Sequence, residues 1–134
     1  MSTVLQVLFC AIALGLVQLL LATLASVGGR GLGWGVGARD EGWPALRSKW
    51  AARLERAFKN FLETFPFFAA AALLDHALSK DNDQTAILGA QIYLWARVLY
   101  VPAYVLAIPF TRTLIWAASL VGILMVWRTA WPGL

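Results

Sequence analysis

The sequence predicts an all-α integral membrane protein, an up-and-down bundle of four transmembrane helices. Composition is the first observation. Of 134 residues, 60% are hydrophobic and only 13% are charged, and the mean hydropathy is +0.70. That charged share is about half the usual globular one, and a soluble domain of this size has too little interior to hide so much apolar side chain. The second observation is four apolar runs that each approach or exceed the ~20 residues needed to cross ~30 Å of hydrocarbon. The third is that no run alternates with period two, which argues against a β-barrel.

The first run, 4–27, holds no charged residue. It exceeds the apolar core of a signal peptide and has no basic leader before it, so it is expected to stay as a membrane helix. A glycine-rich loop over 28–44 follows, and Trp43-Pro44 punctuates its end. Proline suits the first turn of a helix, where its missing N–H costs nothing. The second helix is therefore expected over 45–78, starting about three turns before it enters the bilayer near Ala57. A short polar link, Ser79-Lys80-Asp81-Asn82-Asp83, leads to a third helix over 85–108. A shorter link broken by Pro109 leads to a fourth over 112–131. Short links force sequential neighbours to run antiparallel.

Orientation follows from the basic residues. Arg30, Arg39, Arg47, Lys49, Arg53, Arg56 and Lys59 flank the long loop, and Arg112 falls on the same side. The opposite side carries only Lys80 and Arg128. The positive-inside rule puts the loop 28–44 in the cytoplasm and both termini across the membrane. The net charge of +4 is thus a topology signal, and without a soluble basic face it does not point to nucleic acid. Cys10, the one cysteine, lies in an apolar run and reads as a small buried hydrophobe.

Ionisable groups inside membrane helices are costly and mark function. The second helix holds Arg53, Arg56, Lys59, Asn60 and Glu63 on one broad face. The third brings Arg97, Tyr100 and Tyr104 to one face, with Gln91 and Tyr93 about a turn earlier, and the fourth opens with Arg112-Thr113. Glu63 paired with Arg97 or Arg56 would serve as glue between helices. That pairing leaves a surplus of cations near one membrane face. Such a surplus suits a small anionic ligand whose carboxylates an arginine holds in bidentate fashion, with the tyrosine hydroxyls as further partners or simply packed.

At these residues the chain resembles the membrane-associated proteins in eicosanoid and glutathione metabolism, the MAPEG family, and within it the bacterial-type microsomal glutathione transferases. The stretch from Arg53 to Pro66 is similar to the family's second-helix signature, in which Arg56, Asn60 and Glu63 stand at the recurrent positions. The run Arg97-Val98-Leu99-Tyr100-Val101-Pro102-Ala103-Tyr104 is similar to its third-helix pattern, and Arg112 stands where the family often places an arginine. The resemblance covers the last three helices, and the first adds nothing to it. It implies a homotrimer that binds glutathione between subunits near the cytoplasmic face. Arg56, Lys59, Asn60, Glu63, Arg97, Tyr100 and Tyr104 would hold the tripeptide. Arg112 would face its sulfur and stabilise the thiolate that acts as nucleophile, while a lipophilic electrophile arrives from the lipid. The chain departs from eukaryotic catalytic members at Phe58, where they often carry His, at Lys59, where they carry Arg, and at Trp116, where some carry Tyr.

The expected function is therefore a membrane-bound glutathione-dependent transferase or peroxidase. One alternative is a non-catalytic member of the same fold that binds lipid or a partner protein. Another is a small multidrug transporter, which wants a carboxylate in the first helix and whose cationic substrates these arginines would repel. The run Gly31 to Gly37 lacks the Lys-Ser/Thr of a phosphate-binding loop and reads as a flexible segment at the membrane surface. Asp75-His76 without further ligands gives no metal site, and Trp95, Trp116, Trp127 and Trp131 read as core or interfacial aromatics.

Overall fold

The computed structural model describes residues 3–38 and 49–133. The expected start of the second helix at 45–48, together with Arg39, Pro44 and Arg47, lies outside the described residues. Within them, helix α1 (Val4–Arg30) is followed by a short α2 (Leu32–Val36), then α3 (Lys49–Ala77), α4 (Gln84–Val105) and α5 (Thr111–Ala130), with a closing 3-10 turn over Trp131–Gly133. No strand occurs among the described residues. The chain is an all-α bundle of four long helices.

Each helix end has a local cause. A reciprocal capping box starts α1, in which the Thr3 side chain accepts from the Gln6 N–H and the Gln6 side chain from the Thr3 N–H. The helix stops at Gly31, whose φ of +100° suits glycine and whose N–H bonds the Val27 carbonyl at 2.7 Å. The glycine-rich segment is thus not loop from residue 28 on. Gly28 and Gly29 stay helical, and Arg30 is anchored by Ser26 and Glu55. Nor does Gly35 serve flexibility alone. A Cβ there would lie 2.8 Å from Cγ2 of Val27, so glycine lets α2 fold back on α1.

Asp83 caps α4 by accepting from the N–H groups of Thr85 and Ala86. At its other end α4 stops at Val105, three residues short of the expected Ile108: the Val105 carbonyl would need an N–H from residue 109, which is proline, and accepts from Arg53 at 2.9 Å instead. Ala107 and Phe110, both left-handed at φ near +55° and +63°, then complete the tight turn into α5. Pro66 lies within α3 and Pro102 within α4.

The helices alternate in direction, and their ends are tied across both faces of the bundle. On one face Val4 N–H donates to the Asp81 carbonyl and Thr129 Oγ1 to Asp75. On the other, Arg30 meets Glu55 and Arg53 meets Val105. Helices α3 and α4 are central: α1 packs against both from one side, α5 against both from the other, and α1 and α5 do not touch. The closest crossing is α4 on α5 at Gly89 and Gly122, where backbones meet directly. The outer faces of α1 and α5 leave Phe9, Leu16, Leu20, Leu24, Leu114, Leu124 and Trp127 exposed, as lipid contact requires.

Segment Val4–Gly28, α4 and α5 are each long and apolar enough to cross a membrane on length and composition alone. Helix α3 is as long, with 29 residues, but carries the charges. Those charges mark it as the helix that serves the site.

Candidate functional site

Charges and rings form a column that runs from the membrane face into the bundle. At its outer end, exposed Arg56 on α3 donates from Nε to the Tyr104 hydroxyl at 3.0 Å. Exposed Arg112, in the first turn of α5, places its guanidinium carbon 4.7 Å from the centre of the same ring. Half-buried Tyr104 packs on buried Tyr100 with ring centres 5.7 Å apart. The Arg97 guanidinium in turn lies 4.2 Å from the Tyr100 ring centre and 5.9 Å from that of Phe61. Three arginines and two tyrosines thus meet on facing sides of α3, α4 and the start of α5. Each cation lies over an aromatic face, a contact worth more where water is excluded.

Arg97 is the inner end. It is 1% exposed, and none of its three nitrogens has a hydrogen-bond partner. Glu63 lies within electrostatic reach of it, yet forms no ion pair with Arg97 or Arg56. The reading of Glu63 as simple glue between helices is therefore not what the geometry supports. A buried guanidinium with five N–H donors and no acceptor is a large unmet demand.

The remaining expected site residues lie around this column. Asn60 is half-buried, and its Oδ1 is closed off without a partner. Exposed Glu63 sits on the lip of an apolar groove of about 600 Å³ between α3 and α5, lined further by Phe67, Leu74, Trp116, Leu120 and Trp127. Lys59 lies apart. It lines a groove of about 340 Å³ between α1 and α3, with Leu19, Ala22, Ser26, Glu55 and Phe58. Tyr93, one turn before Arg97, belongs to the core, where its ring stacks on Phe68 at 4.2 Å and its hydroxyl shares a hydrogen bond with Thr64. Trp116 and Trp127 line the large groove rather than only the interface.

With this geometry in view, the comparison with known families is decisive: the sequence model of the MAPEG family matches residues 7–131, nearly the whole chain. The chain belongs to the MAPEG family. No curated protein and no solved structure matches it. MAPEG membership makes it a membrane protein of the group associated with eicosanoid and glutathione metabolism, and the match reaches back through α1.

In this MAPEG chain α1 contributes two features the charge pattern did not reveal. The first is an ion pair of Arg30 with Glu55 at 2.5 Å, shared with Ser26. The Arg30 guanidinium above all holds the Glu55 carboxyl below its ordinary range; burial opposes it, and the Ser26 hydroxyl adds a smaller lowering. The pair fixes the end of α1 to the part of α3 that lies before the bilayer. The second is Gln18, buried with neither carboxamide atom partnered. A glutamine in the middle of a charge-free apolar run was the available signal.

Proposed function

We propose that this MAPEG chain is a glutathione-dependent transferase or peroxidase that acts on lipophilic electrophiles. The observation that carries the reading is Arg97, a fully buried cation without an acceptor at the base of a column of cations and tyrosines. In lipid such a charge needs an anion from outside the chain's own described side chains. Glutathione brings two carboxylates for Arg56 and Arg97, and an ammonium for Glu63. Asn60, Tyr100 and Tyr104 offer neutral partners, and Lys59 adds positive charge on the α1 side. Because the Arg97 nitrogens are sealed in the single chain, binding involves an opening of the tyrosine pair.

Arg112 is the catalytic candidate. It is exposed at the outer end of the column, and its positive charge favours the thiolate over the thiol. The thiolate attacks the electrophile and forms a carbon–sulfur bond as the leaving group departs or the ring opens. With a hydroperoxide it attacks the outer oxygen instead: the O–O bond breaks, the alkoxide leaves as the alcohol on taking a proton, and a second glutathione thiol converts the sulfenic acid to the disulfide and water. The apolar groove that starts at Glu63 supports a place for the lipophilic co-substrate next to the sulfur. A homotrimer, with the face that holds Arg56 and Arg112 towards the cytoplasm, completes the reading. The groove's tryptophan-rich lining also favours a second reading, a non-catalytic lipid-binding member.

The test is calorimetric titration of glutathione into the detergent-purified protein, with Arg97→Ala and Arg112→Ala beside it. Saturable binding lost in Arg97→Ala, and thiolate absorbance and turnover lost in Arg112→Ala with binding kept, support the enzyme. No binding to the wild type at millimolar glutathione refutes it and leaves the lipid-binding reading.

A further inference from the structure

Buried polar side-chain atoms without a hydrogen-bond partner are rare in folded proteins. Seven occur among the described residues: two on Gln18, one on Asn60, three on Arg97 and one on Asp75. Asp75 lies at the opposite end of the bundle, tied to Thr129. The other six lie on α1, α3 and α4, the three helices that meet at Phe61.

Contacts fix that meeting point. On α1 the residues turned towards the bundle are Val4, Val7, Ala11, Gly15, Gln18 and Ala22, at steps of three and four, so Gln18 faces inward. At Gly15 the helix meets Phe61, where a Cβ would lie 2.8 Å from Cε1 of the ring. The same ring lies 5.9 Å from the Arg97 guanidinium carbon. Helical side chains lean towards the N-terminus of their helix, so the Gln18 carboxamide leans back onto the Gly15–Phe61 level. Asn60 directly precedes Phe61. Gln18 is 4% exposed, and no lipid or solvent competes for it.

The three groups together specify a ligand chemistry. Arg97 offers donors only, the open atom of Asn60 is an acceptor, and Gln18 offers one donor group and one acceptor. An inorganic anion would satisfy the guanidinium and leave both acceptors empty. A carboxylate with two amide groups beside it satisfies all three residues: the carboxylate takes the guanidinium, the N–H and C=O of one amide match the Gln18 carboxamide, and the N–H of the other serves the Asn60 oxygen. We infer that Gln18 belongs to the ligand site and that its carboxamide takes an amide group of an anionic, peptide-like ligand. This rests on the glutathione reading and adds to it a residue of α1 and the part of the ligand that residue recognises.

An orphaned carboxamide in apolar surroundings destabilises a helix bundle, so the two explanations of Gln18 predict different pairs of results. Glutathione is titrated calorimetrically into wild type, Gln18→Leu and Gln18→Met, and the melting temperature of each is recorded without ligand. Met keeps the length of glutamine without its amide, which guards against a Leu-specific packing fault. The inference predicts affinity weakened roughly tenfold or more in both variants, with the melting temperature unchanged or raised. Unaltered affinity in both variants overturns the role of Gln18 while the glutathione reading stands. Affinity and melting temperature that fall together in both variants overturn it too, and assign Gln18 to packing. Absence of binding to the wild type overturns the glutathione reading itself, and this inference with it.

Discussion

Substituting alanine for Gly122 should part the two helices that carry most of the site. A Cβ at this position would stand 2.5 Å from the Gly89 carbonyl oxygen, 2.7 Å from the Tyr93 nitrogen and 3.2 Å from the Tyr93 Cα. All three are backbone atoms of α4, so no rotamer change can make room. Ordinary carbon contacts begin near ~3.4 Å, so α4 and α5 must separate by roughly 1 Å at the crossing. Overpacking of this kind costs about 1–3 kcal/mol, here towards the upper end. Alanine's higher helix propensity offsets about 1 kcal/mol of it. The net expectation is a loss of about 1–2 kcal/mol, read as a melting temperature several degrees lower in detergent. The separation also reaches the site, because α5 brings Arg112 to the Tyr104 ring on α4. Glutathione affinity should fall in the same variant. Gly28→Ala is the control, since nothing lies within 4 Å of a Cβ on this exposed helical glycine. It should stabilise by up to about 1 kcal/mol. A Gly122→Ala melting temperature equal to or above the wild type's would refute the direct backbone contact of α4 with α5.

Other perturbations probe the two ends of the bundle and the column between them. Arg30 holds the Glu55 carboxyl below its ordinary value of 4.5, so the pair's contribution, about 1 kcal/mol or less, is complete at neutral pH. It should disappear as the pH falls through that lowered value, and thermal melts of Glu55→Gln should lack this acid-limb loss. Asp75 is 0% exposed and accepts from Thr129 at 2.7 Å. Thr129→Val should therefore cost about 1–3 kcal/mol by orphaning the carboxyl, and adding Asp75→Leu should recover most of it; strict additivity in the melts would count against the pair. Tyr104→Phe removes the hydroxyl that holds Arg56 while leaving the ring beside Arg112. Glutathione should bind roughly three- to tenfold more weakly, with fold and melting temperature kept. Equal affinity would take Arg56 and Tyr104 out of the binding site.

Much of this protein was decided at the level of the linear chain. Bilayer thickness turns apolar run length directly into helices, and the polar links between 79 and 83 and around Pro109 leave no choice but reversal. Charge inside an apolar helix is costly wherever it falls, so Arg97, Glu63 and Arg112 declared a site before any packing was known. The motifs around Arg56, Asn60 and Tyr104 carried the family. Packing decided which of these residues meet. Lys59 and Glu63 share one helix face in a coarse reading, yet they line different grooves because α1 and α5 cover opposite flanks of α3. Tyr93 and Tyr100 are both tyrosines of α4, but Thr64 and Phe68 take the first into the core, while Arg97 lies over the second. Gln18 follows the same rule. A single glutamine in an apolar run carries no charge to betray it, and its burial and orphaned carboxamide exist only once α1 is laid against Phe61. The cost of polarity in lipid is a property of each residue, legible in sequence, whereas the supply of partners depends on distances that only the tertiary fold sets.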